Sequence, residues 1–290
     1  MATVALAQLF HAVHPPPPLG AFVESLWVFE GPPRAHALER IMPWGSAQLI
    51  VNLAEDQTRL YDPARVDAAG SGTGCRTMSG AVLSGAYSQS CVIDTAEQQF
   101  VAGVSFKPGG IYPFFGLPAY ETTNAHVELG ALWDARSAAR LRERLLEAPD
   151  AAARLTVLAR ALGSIRRTLH PAVTHALRVF TRAPRAASIA GVTAEIGLSP
   201  KRFIERFKTE VGLTPKAFCR VRRFQQALAA VKAGVEVDWT CVALSAGYYD
   251  QAHFIHDFRA FSGLTPTMYL ATRTEFQNHV KFLQSPAPRI

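Results

Sequence analysis

The chain has 290 residues, 49% of them hydrophobic and 18% charged, with a formal net charge of +7. That balance excludes a disordered tail or a coiled coil and allows two modest globular domains or one large one. No run of about twenty uncharged apolar residues is present to span a membrane, and four cysteines without a Cys-x-x-Cys pair point away from a disulfide framework or zinc site and toward a reducing cytoplasm.

The charge is unevenly placed. Residues 165–290 hold 18 Lys/Arg against 8 Asp/Glu, whereas residues 1–164 hold 12 against 15. A polyanion would therefore meet the second half of the chain.

In chain order, "MATVALAQLFHAVHPPPP" has no basic n-region and reads as mature protein, not as a signal peptide. The segments Ser46–Glu55, Gly80–Thr95 and Gln99–Gly110 are rich in β-branched and aromatic residues and predict strands. Between them Asp62–Gly80 is Gly/Ser-rich and predicts a mobile loop. The front half thus reads as a compact β-barrel or sandwich. Its His36, Glu39, Cys91, Asp94 and His126 have neither metal-ligand spacing nor a nucleophile–base pairing. No catalytic residue, metal or cofactor is expected, and the chain reads as a non-enzyme. In "FKPGGIYPFFGLP", Phe106, Lys107 and Tyr112 are candidate walls and polar anchors of an effector pocket. The alternative is that these rings are simply barrel core.

From Leu129 the period changes to that of helices. Leu141, Leu145, Leu146, Leu155, Leu158 and Leu162 lie at helical spacing with a break at Pro149. These helices either join the halves, form a dimer face, or pack on the barrel.

The back half is a train of short helices with readable ends. "SIAGVTAEIG" has a Ser188 cap and a glycine stop. "SPKRFIERFKTEVG" has Ser199 as cap, Pro200 in the first turn and Gly212 at the end. A longer helix runs from Thr214 to Gly234, and the pattern then restarts. "RFIERFKTEVGLTP" at Arg202–Pro215 returns as "HFIHDFRAFSGLTP" at His253–Pro266, displaced by a constant 51 residues. Before each copy stands a small residue followed four positions later by glycine, Thr193 with Gly197 and Ala243 with Gly247. A helix-turn-helix needs a small residue where its helices touch and a turn residue tolerant of positive φ. Two such units are predicted.

On each second helix a phenylalanine pair, Phe203/Phe207 and Phe254/Phe258, marks the core face. The other face and the N-terminal turn carry Lys201, Arg202, Ile204, Glu205 and Lys208 in the first unit, and Gln251, Ala252, His253, His256 and Arg259 in the second. Such helices suit a major groove. Lys216, Arg220, Arg222 and Arg223 on the joining helix are the expected phosphate contacts.

The paired units, the joining helix and above all "ALSAGYYDQAHFIHDFRAFSGLTPTMYL" (Ala243–Leu270) resemble the AraC/XylS family of transcription regulators. The resemblance implies a seven-helix domain that binds double-stranded promoter or operator DNA and recruits or positions RNA polymerase. Carried over by position, base reading falls near Lys201, Ile204 and Glu205, then near Gln251, Ala252, His253 and His256. Trp239 departs from the smaller aliphatic residue usual there. "ERIMPWGSAQLIVNL" and "VAGVSFKPGGIYPFFGLPAYETTN" are similar to the β-rich N-terminal domain of a bacterial subset of the family. That position usually holds a cupin-like domain.

The expected fold is therefore α+β: a β-rich, barrel-like (cupin-like) domain over residues 1–130, linker helices over 131–167, and an all-α double helix-turn-helix domain over 168–290. The front domain is expected to bind a small-molecule effector or to form a homodimer. Its alternatives are a pure interaction module without a ligand, or an enzymatic domain fused to the DNA-binding one. A cytoplasmic regulator with no membrane partner is expected.

Overall fold

A computed structural model describes residues 9–165, 167–182, 189–231 and 237–283. Its front part holds β1 (Leu9–Val13), β2 (Val23–Glu30), β3 (Leu38–Ile41), β4 (Gln48–Asn52), β5 (Gln57–Tyr61), β6 (Cys75–Ser79), β7 (Ala81–Ser84), β8 (Cys91–Asp94) and β9 (Phe100–Phe106). A short helix α1 (Tyr112–Phe115), a 3-10 turn (Ala119–Thr122) and β10 (His126–Glu128) follow. Then come α2 (Leu129–Leu132), α3 (Ala135–Glu147), α4 (Ala151–Ala161), α5 (Pro171–Arg182) and α6 (Ile189–Glu195). The last elements are α7 (Pro200–Val211), α8 (Pro215–Ala230), α9 (Trp239–Ser245), α10 (Gln251–Ser262), α11 (Pro266–Thr272) and β11 (His279–Lys281).

The strands form two antiparallel sheets, ordered β1-β2-β9-β4-β7-β10 and β11-β3-β8-β5-β6. In β9, "FVAGVSF", the residues from Val101 to Val104 are all buried, as a central strand covered on both faces requires. Its Val104 stands opposite Leu26 of β2 and Leu49 of β4, and Ala102 opposite Val28 and Val51. β1, at the edge, is exposed along its whole length.

The predicted break at Pro149 separates α3 from α4, each capped by an aspartate. Asp134 accepts from the Ser137 N–H and Asp150 from the Ala153 N–H. Leu141, Leu145, Leu155, Leu158 and Leu162 are buried in one cluster with Leu26, Leu49 and Val104. Of the six leucines only Leu146 faces out. The sheet face lies close by in the chain and needs covering, so these leucines pack on the barrel instead of forming a dimer face. The expected loop Asp62–Gly80 also contains structure. It carries β6, a bridge between Val66 and Gly72, and a turn in which Asp67 accepts from the Ala69 and Ser71 N–H groups. β6 reads "CRTMS" with only Met78 buried, so it lacked the apolar alternation that signals a strand.

The two halves share a core. Met42 and Ala86 of the front half belong to the same buried cluster as Phe203, Phe218, Phe224 and Phe258. β11 returns to the front half and pairs with β3 in the register Val280 opposite Arg40. There the Glu39 carboxylate, 1% exposed, bridges His36 and His279, with both ring nitrogens at 2.7 Å. Burial pushes the Glu39 carboxyl up, but its two histidine partners together hold it below its ordinary value. Gln225 of α8 donates to the Pro43 carbonyl and to Asn278. Among the described residues no helix is long and apolar enough to cross a membrane.

His126 on β10 is 4% exposed, with Nδ1 2.8 Å from the Tyr87 hydroxyl. Burial lowers its imidazole from an ordinary 6.5 to about 4, and the nearby Arg76 adds to the effect. Between those values the unfolded chain takes up a proton that the folded chain refuses, so stability falls as pH drops through this window. In urea unfolding the wild type is expected to lose, relative to His126→Asn, on the order of 3 kcal/mol between pH 7 and pH 4. Parallel pH profiles for the two proteins would contradict this.

Candidate nucleic-acid interface

The first helix-turn-helix is α6, its turn and α7. Thr193 is 9% exposed and its hydroxyl donates to the Ile189 carbonyl, so the helices touch at a residue that leaves no polar group loose. Gly197 has φ 66°, the left-handed turn expected of it. Ser199 caps α7 by accepting from the Arg202 N–H. The proposed cap at Ser188 lies outside the described residues, as does Gly234.

The second unit, α9, its turn and α10, repeats this plan with different capping chemistry. Ala243 is fully buried and Gly247 has φ 87°. Asp238 accepts from the Thr240 and Cys241 N–H groups, and Asp250 accepts from the His253 N–H at 2.7 Å. Trp239 stacks on Phe254, with ring centroids 5.8 Å apart, and meets Phe258 edge-on. The large residue at this position therefore extends the aromatic core between α9 and α10.

All four phenylalanines of the repeat are fully buried. The opposite faces carry the predicted readers, and all of them are exposed: Lys201, Arg202, Ile204, Glu205 and Lys208 on α7, and Gln251, Ala252, His253, His256 and Arg259 on α10. Gln251 lies 3.4 Å from the Thr240 hydroxyl, and His253 packs its ring edge-on against Tyr248. An open hollow follows the outward stripe of α10, lined by Ala252, Ile255, His256, Arg259 and Ala260. Lys208, at the far end of α7, holds its ammonium 5.1 Å over the Tyr120 ring of the front half.

The predicted phosphate contacts divide. Lys216 is exposed in the first turn of α8. Arg220 instead makes a two-pronged pair with Asp257 of α10, Nη2 to Oδ1 at 2.6 Å and Nε to Oδ2 at 3.3 Å, and lies over the Phe261 ring. Arg223 lies over the Tyr248 ring and points Nη1 at the Gly247 carbonyl, at 3.5 Å. Burial holds the Arg222 guanidinium below its ordinary value, with Glu24 of the front half offsetting part of that. Three of the four basic residues are thus half-buried and engaged within the chain. They crowd onto one short helix, and charge density alone does not tell which way a helix presents it.

The residues expected around an effector are placed as follows. Phe106 is 2% exposed and packs against Phe114 and Phe115. The Lys107 ammonium donates to the Gly20 carbonyl at 2.6 Å. Tyr112 lies under the Arg167 guanidinium, 5.5 Å from its ring.

Sequence reasoning missed the hydrogen bonds at the far ends of α7 and α10. The Thr123 hydroxyl donates to the Gly212 carbonyl. Ser90 donates its N–H to the Phe261 carbonyl and its hydroxyl to the Ser262 carbonyl. Single polar residues in short loops carry no pattern by which they could have been found.

Residues 192–272 match a family model described as "Helix-turn-helix domain", and residues 11–128 match one described as "Domain of unknown function (DUF6597)". No curated protein sequence matches the chain. Among solved structures, a probable AraC family transcriptional regulator from Rhodopseudomonas palustris is similar at 26% identity. That match covers 35% of this chain and 96% of the other, with a TM-score of 0.32. The C-terminal domain of AraT, a response regulator from Geobacillus stearothermophilus, is similar at 22% identity over 38% and 93% of the two chains, with a TM-score of 0.34. ToxT from Vibrio cholerae is similar at 12% identity over 81% and 96%, with a TM-score of 0.42.

Proposed function

We propose, from the match of residues 192–272 to a helix-turn-helix family model, that the chain is an AraC-type regulator of transcription that sets α7 and α10 into two successive major grooves near a promoter. The observation that carries this reading is the repeated unit. Two capped helices in one domain present their first turns to solvent, Lys201 and Arg202 on one and Gln251, Ala252 and His253 on the other. Lys201 suits the O6/N7 edge of guanine, Gln251 the N6/N7 edge of adenine, and Glu205 the amino group of cytosine. Ile204 and Ala252 can meet only a thymine methyl. Successive major grooves on one face of B-DNA lie about 34 Å apart, so a double reading head engages both without a second chain.

Phosphate contacts are assigned to Lys216, Arg259 and the exposed N-terminus of α7, since the Asp250 carboxylate that caps α10 would repel a phosphate there. The boundaries 1–130, 131–167 and 168–290, a contact with RNA polymerase, and a regulatory front domain belong to the same proposal. One observation favours a second reading, in which the front domain binds no small molecule and acts through protein contacts. The candidate effector groups Phe106 and Lys107 already have partners inside the chain. Calorimetry against metabolite libraries, beside solution mass as a function of concentration, separates the two.

Selection of DNA from a random pool by the full chain tests the main reading. Two short boxes about one helical turn apart are expected, with affinity falling by roughly 0.9 log units per log unit of salt for each phosphate neutralised. Lys201→Ala and Gln251→Ala should each relax one box, at about 1–3 kcal/mol of lost discrimination, while Lys216→Ala should weaken all sequences alike. A pool that shows no enrichment would sink the proposal.

A further inference from the structure

Every α-helix leaves its last carbonyls without intrahelical donors. In this protein the front domain supplies donors to the ends of both reading helices. At the end of α7 the Gly212 carbonyl takes the Thr123 hydroxyl at 2.6 Å. At the end of α10 the Phe261 carbonyl takes the Ser90 N–H at 2.8 Å, and the Ser262 carbonyl takes the Ser90 hydroxyl at 3.3 Å. Thr123 and Ser90 sit on different loops, and those loops are tied to each other. Asn124 has φ 54° and is the one non-glycine residue with positive φ among those described. Its side chain accepts from the Ser88 N–H at 2.7 Å and donates to the Ser88 hydroxyl at 3.2 Å, while its own N–H donates to the Ala86 carbonyl. The loops approach so closely that a Cβ on Gly85 would stand 1.8 Å from the Thr122 carbonyl oxygen. A Cβ on Gly212 would likewise meet Ala119, Ala86 and Thr123 at 3.2–3.4 Å, so the end of α7 touches both loops at once.

We propose that this Asn124-tied pair of loops is a platform that fixes the position of one reading helix relative to the other, making Asn124, Thr123 and Ser90 positioning residues for two-box recognition. The inference rests on the double-reading proposal above and goes further, by assigning the choice of box spacing in part to the front domain. α8 also braces both helices, meeting α7 through Phe207 and Phe218 and α10 through Arg220 with Asp257 and Phe224 with Phe261. The platform adds hydrogen bonds from the front domain at the far ends. Each helix is then held by two separate elements.

The test uses the full chain and the double-stranded DNA it selects from a random pool, with the two boxes at native spacing, with one base pair inserted between them, and with either box scrambled. One inserted pair shifts the second box by about 3.4 Å and about 35°. For the wild type it is expected to cost at least about tenfold in affinity, comparable to one mismatched pair. Asn124→Gly keeps the positive φ and removes the tie, and Thr123→Val removes one donor at nearly constant shape. In either variant the insertion penalty should fall to within about threefold, while binding to single-box DNA stays within about twofold of wild type. An insertion penalty unchanged from wild type in both variants would overturn the platform and leave spacing to α8, with the double-reading proposal intact. Equal losses on single-box and two-box DNA would also overturn it, since they indicate general damage. A wild type that selects no DNA at all would bring down the double-reading proposal and this one with it.

Discussion

Replacing Phe258 by alanine is expected to lower the unfolding free energy by about 3–5 kcal/mol. The side chain is fully buried, and its ring meets those of Phe224, Trp239, Phe254 and Tyr269 at centroid distances of 5.2–6.3 Å. Those partners come from α8, α9, α10 itself and α11, so four elements converge on one ring. A cavity opened at such a junction closes only if several helices shift together, which places the cost at the high end for a lost core aromatic. The size of the loss matters because a domain has only about 5–15 kcal/mol to lose. Urea unfolding of the purified chain measures it, with Phe258→Leu as the partial case. A loss under about 1 kcal/mol would mean that the surrounding helices collapse freely and that the ring is not their junction.

Arg220→Ala is expected to destabilise the protein by about 3 kcal/mol, more than Asp257→Ala does, even though the two residues form one pair. The difference follows from where each charge would be left. Asp257 keeps only 3% of its side-chain surface exposed, and after Arg220 is removed the only ion-pair partners left to it among the described residues are the His253 and His256 rings, at 3.8–3.9 Å. Arg220 keeps 35% exposed, so after Asp257 is removed its guanidinium can turn to water. The double variant should recover much of the loss, because neither charge is then stranded. The same series discriminates between an internal brace and a phosphate-binding group. If Arg220 bound a phosphate, its removal would leave folding stability untouched and flatten the salt dependence of DNA binding by about one phosphate. Finding that pattern would contradict the geometry described for Arg220.

Much of this architecture could be read from the sequence because the relevant signals are local. Ser199 and Thr214 cap the helices they precede and Gly212 ends its own, although the helix expected to run to Gly234 stops at Ala230. The phenylalanine pairs mark the buried stripe of α7 and α10, since a face repeated at helical spacing can be read from one segment alone. What could not be read depends on partners far along the chain. Arg220, Arg222 and Arg223 look like a basic patch until Asp257, Tyr248 and Glu24 are in place. The leucines of α3 and α4 fit a dimer seam equally well until the six-stranded sheet is seen beneath them. The donors on Thr123 and Ser90 acquire a role only when two helices end beside them, 89 and more residues downstream.

The pairing of β3 with β11 bears on how the protein comes to be made. Leu38, Glu39 and Arg40 of β3 are all buried, yet the strand that covers this edge lies some 240 residues further along the chain. While the ribosome is still extending the chain, the front sheet carries an open flank of unpaired amide and carbonyl groups, the kind of edge that recruits strands from other molecules. A front fragment ending near residue 128 would keep that flank permanently, and a back fragment would carry β11 with no sheet to join. Nascent chains of this protein thus pass through a stage at which an ordered sheet is most open to intermolecular pairing, and the emergence of His279–Lys281 closes it.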